Sequence, residues 1–210
     1  MQKKYLWFIT LVLLVALVIA WRFIMSNIEH AKYKVVRHQG QIEIRDYEAM
    51  IVAEVQVEGD REAAISEGFS MIADYIFGNN VSLGKEPMTM PVTQKSSEKI
   101  AMTAPVQQQS IGSHSWKVNF IMPYSYTLAT LPIPINIAVK MKKISEKRFA
   151  VIRFSGIANS SQLEDQTKEL ENFIAQQKLY PIARPTYAFF NPPWTLPFLR
   201  RNEVMIEIKK

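Results

Sequence analysis

The sequence predicts an α+β fold: a twisted antiparallel sheet or distorted open β-barrel with two flanking helices, preceded by one N-terminal transmembrane helix. Three features indicate this. An uncharged apolar run occupies residues 5–21, short segments of alternating apolar and polar residues recur after it, and two longer segments carry apolar residues at helical spacing. The strand and helix segments follow the same order in each half, which predicts a duplicated strand–strand–helix–strand unit.

Residues 1–25 are predicted to be a membrane anchor. A helix rises about 1.5 Å per residue, so the apolar run and the four residues after it nearly span a hydrocarbon core of about 30 Å. Trp7 and Trp21 lie near its two ends, where indole rings favour the membrane interface. Two alternatives stay open: a signal peptide cleaved after the small-x-small sequence at 18–20, and a buried helix, although the run has no polar face. Residues 26–40 are polar and predict a short tether.

Basic residues lie on both sides of the anchor, so the positive-inside rule hardly fixes its orientation. We expect the following domain to lie outside the cytoplasm, which the absence of cysteine permits. The same absence excludes thiolate zinc sites, iron–sulfur clusters and cysteine nucleophiles. The net charge is +6, but the basic residues are scattered, whereas a nucleic-acid-binding stripe would be denser. We therefore expect no nucleic-acid partner.

In the first half, alternation and helical periodicity predict two strands, a helix that begins after Asp60 and ends before Gly78, further extended segments and a proline-rich bend. Their ranges are 42–47, 51–57, 60–77 (helix), 88–94, 100–108, 116–122 and 123–134 (bend). The second half repeats this order with 136–144, 148–155, 160–177 (helix), 186–191 and 203–208.

The two halves align at nearly one offset. Gly59 falls opposite Gly156, residues 74–76 fall opposite 172–174, and Pro87 falls opposite Pro185. Three landmarks of different kinds favour pseudo-repeats at about 41–110 and 136–210 within a domain that extends from 41 to 210. Small-molecule sites tend to lie in a cleft of the kind that forms where such halves meet.

The common catalytic motifs are absent. The chain has no G-x-S-x-G, G-x-x-x-x-G-K, G-x-G-x-x-G or H-E-x-x-H sequence, and its three histidines lie far apart. Carboxylates such as Glu43, Asp46 and Glu54 lie in alternating strands, where they usually face solvent. We therefore predict no catalytic residue, no metal site and no enzymatic activity.

Two segments resemble a ligand wall more than an active site. The phrases 88–92 and 101–106 each join methionine to proline, which indicates flexible core filler, an adaptable apolar wall for a flat ligand, or a thioether ligand to iron. The stretch 189–203 places four large apolar residues in a proline-stiffened loop just before Arg200 and Arg201. Aromatic walls beside guanidinium groups suit a flat apolar molecule with carboxylates, although the loop could instead bury its aromatics in the core.

At these residues the chain resembles the SOUL haem-binding family, in particular its bacterial members. The matching phrases are IEIRDY (42–47), KIAMTAPV (99–106), AVIRFSG (150–156) and YAFFNPPWTLPFLRRNEVMIEI (187–208). The resemblance implies haem b or a related tetrapyrrole, bound in a cleft between the first helix and the loop before the last strand. It implies ligand contacts on both elements, namely Met71, Ile72, Tyr75, Trp194, Leu196, Phe198, Arg200 and Arg201.

One departure from the family concerns the iron. Some animal members have a histidine, proposed as an iron ligand, at the place of Asp46. A carboxylate is a poorer ligand for haem iron than imidazole, and His38 is only a weak substitute. Either the ligand binds without a protein axial ligand, through apolar contacts and pairing of its propionates with arginine, or this member does not bind haem.

Together these features predict a non-enzymatic, tetrapyrrole-binding domain tethered by residues 5–25 as a single-pass protein of the bacterial inner membrane, with the domain in the periplasm. Two other hypotheses are a binding module for another amphipathic ligand (lipid or peptide) or a protein partner, and an enzyme that acts on a tetrapyrrole, for example by removing its metal.

Overall fold

The computed structural model describes residues 28–83 and 97–210. The secondary-structure elements of these ranges are β1 Glu29–His30, β2 Tyr33–Gln39, β3 Ile42–Tyr47, β4 Met50–Glu58, α1 Arg61–Ile76, β5 Asn80–Val81, β6 Thr103–Ala104, β7 Val106–Ser110, β8 Ser115–Ile121, β9 Ile133–Pro134, β10 Lys140–Ile144, β11 Lys147–Phe154, α2 Ser160–Gln176, β12 Thr186–Phe189 and β13 Asn202–Ile208. Within the described ranges, neither helix is both long and apolar enough to cross a bilayer. The predicted anchor and the extended segment 88–94 lie outside them.

A nine-stranded antiparallel sheet in the order β10-β4-β8-β7-β12-β13-β11-β3-β2 forms the body of the domain. Two short connections, 48–49 and 145–146, join strands that lie far apart in this order: β3 to β4 and β10 to β11. Such a connection spans only about 10 Å. The sheet therefore curls so that β4 and β10 come near β3 and β11, which gives a half-barrel. The predicted α+β class with two helices is confirmed.

Side chains pack on both faces of the curled sheet. The concave face is closed by residues from seven strands, from the segment before β2 and from the residue after β12, namely Ala31, Tyr47, Met50, Val52, Ile121, Ile144, Phe149, Val151, Ala188, Phe190 and Met205. On the outer face, α1 covers β4 and β8, and α2 covers β11 and β13. A hydrophobic core thus lies beneath each helix, and a third fills the barrel.

The two helices begin in the same way. Gly59 and Gly156 precede α1 and α2 with φ angles of +122° and +110°, a region that favours glycine. Asn159 then caps α2, its side chain accepting a hydrogen bond from the Gln162 amide at 2.8 Å. Asp60 occupies the equivalent N-cap position of α1 without a side-chain cap bond. These glycines were aligned from sequence, and they occupy matching positions in the fold.

Part of the segment 26–40, which we expected to be a tether, belongs to the sheet instead. Residues 33–39 form β2, which pairs with β3 at the edge of the sheet. All seven residues of β2 are exposed, so the strand lacks the alternation that reveals a half-buried strand. The strand expected at 136–144 begins only at Lys140, and the proline-rich bend contains the short strand β9.

Candidate ligand-binding site

The loop from residue 191 to residue 200, which joins β12 to β13, presents large apolar side chains to solvent. Trp194 is 77% exposed and Phe198 is 70% exposed, and Leu196 and Leu199 are each more than half exposed. The alternative that the loop buries its aromatics is therefore wrong. Contiguous apolar surface of this kind marks interaction sites on soluble domains. We call residues 191–200 the aromatic loop.

Hydrogen bonds hold the aromatic loop in shape. The Arg200 guanidinium donates to two loop carbonyls, through Nε to that of Thr195 at 2.7 Å and through Nη2 to that of Pro193. The Gly156 amide donates to the Pro197 carbonyl at 2.9 Å, which ties the loop to the end of β11. With the three prolines of the loop, these bonds restrict its backbone while its apolar side chains stay in water. Arg200 thus shapes the predicted site from within.

Arg201 fastens the base of the loop to the barrel interior. Its Nε and Nη2 atoms donate to Glu203 Oε1 at 2.9 and 2.7 Å. Glu203 is fully buried and also accepts two hydrogen bonds from Arg45, at 2.9 and 3.2 Å. The network therefore joins Arg45 of the phrase IEIRDY to Arg201 and Glu203 of the phrase RRNEV, two motifs that lie far apart in sequence.

Asp46 is engaged in an ion pair. Both of its carboxylate oxygens accept hydrogen bonds from Arg148 on the neighbouring strand β11, each at 2.7 Å. The Arg148 hydrogen bond lowers the pKa of Asp46, so the side chain is a paired anion at neutral pH. Among the residues that the structure describes, no group of three or more histidine, aspartate or glutamate side chains could hold a metal ion. In this chain, the position at which some animal members have a histidine therefore has a structural role: it joins β3 to β11 through an ion pair.

The predicted contacts on α1 lie in the core. Ile72 and Tyr75 are buried between α1 and the sheet, and Met71 is half-buried against the same cluster. The Tyr75 hydroxyl donates to the Pro132 carbonyl at 2.9 Å, and burial raises the pKa of this tyrosine. These residues occupy the C-terminal half of α1, whereas the aromatic loop contacts the connection before α2. A ligand role for these three residues stays a prediction.

A groove that sequence reasoning missed lies between the first turns of the two helices. Its volume is about 300 Å³, and it is lined by Arg61, Trp116, Ser160, Leu163, Glu164, Thr167 and Tyr187. Arg61 lines it and donates to the Ala158 carbonyl at 3.3 Å. Residues 155–160 therefore adjoin both the groove and the aromatic loop. Ligand pockets usually hold roughly 300–1,000 Å³, so this groove alone suits only part of a large ring.

Arg153 is a second feature that sequence reasoning missed. It lies on β11, three residues before Gly156, and its side chain is exposed. Among the arginines of the described ranges, Arg153 is the one whose guanidinium has no hydrogen bond or ion pair in that part of the chain. The only feature of the sequence that could have drawn attention to Arg153 is its place within the family phrase AVIRFSG.

The fold and this loop define an α+β half-barrel domain with an exposed aromatic loop at one end of its sheet. The model of the SOUL heme-binding protein family matches residues 28–207, and the chain belongs to this family. The predicted resemblance is therefore confirmed over nearly the whole described chain. No curated protein matches the sequence.

Solved structures share the fold at low sequence identity. The C-terminal domain of EcmrR is 10% identical with a TM-score of 0.56, covering 81% of this chain and 98% of that one. A structure described as a hydrolase from Listeria innocua is 12% identical with a TM-score of 0.54, covering 83% and 94%. EcmrR in a DNA complex is 9% identical with a TM-score of 0.55, covering 81% and 57%. At these identities the likeness concerns the fold alone.

Proposed function

We propose that this protein binds haem or a related tetrapyrrole on its aromatic loop while residues 5–25 tether it to the bacterial inner membrane, with the domain in the periplasm. The observation that carries the proposal is the rigid loop that keeps Trp194 and Phe198 exposed, in a chain of a haem-binding family. The domain binds its ligand and does not transform it.

Apolar contact supplies most of the binding free energy in this proposal, but not all of it. Covering about 100 Å² on each of the two aromatic rings contributes roughly 5 kcal/mol at about 25 cal/mol per Å². Micromolar affinity requires about 8 kcal/mol. A hydrogen bond to a charged group adds about 1.5–3 kcal/mol, so at least one cation must meet a ligand carboxylate.

Arg153 is better suited to pair with a ligand carboxylate than Arg200 and Arg201, the two arginines predicted from sequence. Arg200 would have to release the loop carbonyls, and Arg201 would have to give up its two hydrogen bonds to the buried Glu203. The Arg153 guanidinium breaks no contact within the described chain when it meets a ligand. We therefore assign carboxylate pairing to Arg153, and we assign to Arg200 and Arg201 the shaping of the surface that the ring contacts.

A bound haem would supply iron capable of electron transfer, and we propose that this chain would hold the group without a strong ligand to that iron. Asp46, which stands where some animal members have the proposed iron ligand, is held by Arg148 in a two-oxygen ion pair. The residues on this surface recognise the face and the carboxylates of the ring. Recognition should therefore depend little on the metal.

The test is a titration of the full chain in detergent with haem and with iron-free protoporphyrin, followed by absorbance and tryptophan quenching. We expect saturable binding of both, with similar affinities. Trp194→Ala and Arg153→Gln should each weaken binding about tenfold, the effect of 1.4 kcal/mol. The matched controls Tyr180→Ala, at a side chain 71% exposed elsewhere, and Arg184→Gln should bind normally.

Absence of saturable binding to either porphyrin would refute the proposal. Binding of haem but not of protoporphyrin would refute the part that excludes an axial ligand. The second candidate is another amphipathic ligand, such as a lipid or peptide, or a protein partner. It is favoured by the openness of the loop surface, and native mass spectrometry of the purified chain would identify it as a co-purified lipid or polypeptide.

A further inference from the structure

The first described residues touch the base of the aromatic loop. The His30 ring lies 5.9 Å from that of Phe190, centre to centre, and Arg201 Nη2 donates to the Tyr33 hydroxyl at 3.5 Å. Phe190 and Arg201 precede and follow the loop, and the Phe190 amide donates to the Arg201 carbonyl at 3.2 Å. Both ends of the loop are therefore beside the segment that follows the predicted anchor.

A second exposed apolar segment begins at the same place. The Tyr124 amide donates to Glu29 Oε1 at 3.0 Å, and the Tyr124 hydroxyl accepts from the Lys32 amide at 3.0 Å. The chain then runs from Tyr124 through four apolar side chains that are about half exposed or more, with Ile137 reaching 84%; they are Leu128, Ile133, Ile135 and Ile137. The segment at 29–33 thus enters the domain between two apolar surfaces.

Chain length places both surfaces within reach of the bilayer. If the anchor ends at residue 25, the five residues to His30 span at most about 17 Å in extended form. The aromatic loop, folded back on itself, reaches up to roughly half its extended length, about 17 Å, from its base. The polar interface on each side of the hydrocarbon core is about 5–8 Å deep, so the loop tip can lie within it.

We infer that the aromatic loop is a second membrane contact: Trp194, Leu196, Phe198 and Leu199 insert into the headgroup region of the bilayer that holds residues 5–25, and the segment from Leu128 to Ile137 lies against the same surface. Tryptophan and other aromatic rings favour this depth. The inference rests on the proposed membrane tether. A tetrapyrrole dissolved in the bilayer would then meet its site without crossing water.

The absence of cysteine from the sequence allows a direct measurement of depth. Phe198→Cys in the full chain is labelled with a nitroxide and placed in nanodiscs of equal parts phosphatidylcholine and phosphatidylglycerol. We expect collisions with oxygen to exceed those with a water-soluble nickel chelate several-fold at position 198. The matched control Tyr180→Cys, at a similarly exposed side chain, should show the reverse. Leu196→Cys carries the same test if the first variant fails to fold by circular dichroism.

Four outcomes are informative, and the first three separate this inference from the proposed function. A label at position 198 that is as open to nickel as the control, in a chain that resists alkaline extraction, overturns the docking inference and leaves the tether intact. Extraction of the chain by alkali overturns the tether and the docking with it. A label in lipid in a chain that fails the porphyrin titration supports docking and refutes tetrapyrrole binding. Dipolar broadening between labels would show that a second copy covers the loop, which also overturns the inference.

Discussion

Glu203 is the residue on which the arrangement of the loop depends most. Its buried carboxylate pairs with two guanidinium groups, those of Arg45 on β3 and Arg201 just before β13, and Arg45 also pairs with Glu43 at 2.6 Å. Arg45 and Arg201 stack on Tyr33 and Phe190 respectively, at 4.4 and 3.9 Å from the ring centres. The charges are thus paired, bonded and shielded, which is the condition under which a buried ion network is stable.

Glu203→Gln tests this network. The substitution keeps the shape of the side chain but leaves the partly buried Arg201 without an anion and the buried Arg45 with Glu43 alone. We therefore expect a loss of about 3 kcal/mol in the free energy of unfolding, at the low end for breaking a buried ion pair. Urea titration of the full chain in detergent, followed by far-ultraviolet circular dichroism, measures this loss. Glu207→Gln is the matched control on the same strand, because its partner Lys147 is a third exposed, and it should cost only about 0–1 kcal/mol. Equal effects of the two substitutions would show that the Glu203 network has no special weight.

At the scale of an element, α1 packs unusually close to the sheet at Gly68. A Cβ atom added there would lie 2.7 Å from Val118 Cγ2 and 3.2 Å from Val55 Cγ2. Alanine favours a helix over glycine by about 1 kcal/mol, whereas forcing a methyl group into a packed core costs about 1–3 kcal/mol. The clash involves a β-branched side chain on a central strand, which has little freedom to move, so the packing effect exceeds the propensity effect.

We therefore expect Gly68→Ala to destabilise the domain by about 1–2 kcal/mol, opposite in sign to the effect of the same change in an exposed helix. Thermal unfolding of the full chain measures it. Ser66→Ala, on the exposed face of the same helix, is the control and should be neutral or slightly stabilising. Because Val118→Ala removes the obstructing methyl groups, the double variant should be less destabilised than the sum of the two single variants. If the destabilisation of the double variant equals the sum of the two single variants, the effect of Gly68→Ala does not come from a clash with Val118.

Elements with a strong local pattern could be predicted from sequence, and elements without one could not. The helices α1 and α2 and the strands β3, β4, β8, β11 and β13 lie within a residue or two of their expected ranges, because each has an apolar face against a core. Strand β2 is exposed along its length and carries no such signal. The aromatic loop could be recognised from its composition. The hydrogen bonds of Arg200 and Arg201, the lack of a partner for Arg153 within the described residues, and the groove at Arg61 all depend on how distant parts of the chain are arranged, which no local pattern encodes.

Across the whole molecule, the two halves exchange their first strands. Strand β3 of the first half pairs with β11 of the second, and β10 of the second half pairs with β4 of the first. From the centre outward, the sheet then reads β7-β8-β4-β10 on one side and β12-β13-β11-β3 on the other. A near symmetry of this kind is what the predicted duplication would produce; the duplication itself stays a prediction. The exchange makes each half incomplete. The second strand of each unit, β4 or β11, has its outer edge covered only by a strand of the other half, β10 or β3.

This exchange predicts that neither half folds alone. A fragment of residues 28–135 lacks β10 and β11, so β4 and β3 each lose one neighbouring strand. A fragment of residues 136–210 lacks β3 and β4, so β11 and β10 each lose one neighbouring strand. Open edges and uncovered apolar faces make such fragments aggregate or remain unfolded. We expect each fragment to lack a cooperative thermal transition, and the two mixed in equal amounts to recover one together with a single peak in size-exclusion chromatography. A cooperative transition in either fragment by itself would show that the halves are independent domains and that the shared barrel forms only by their docking.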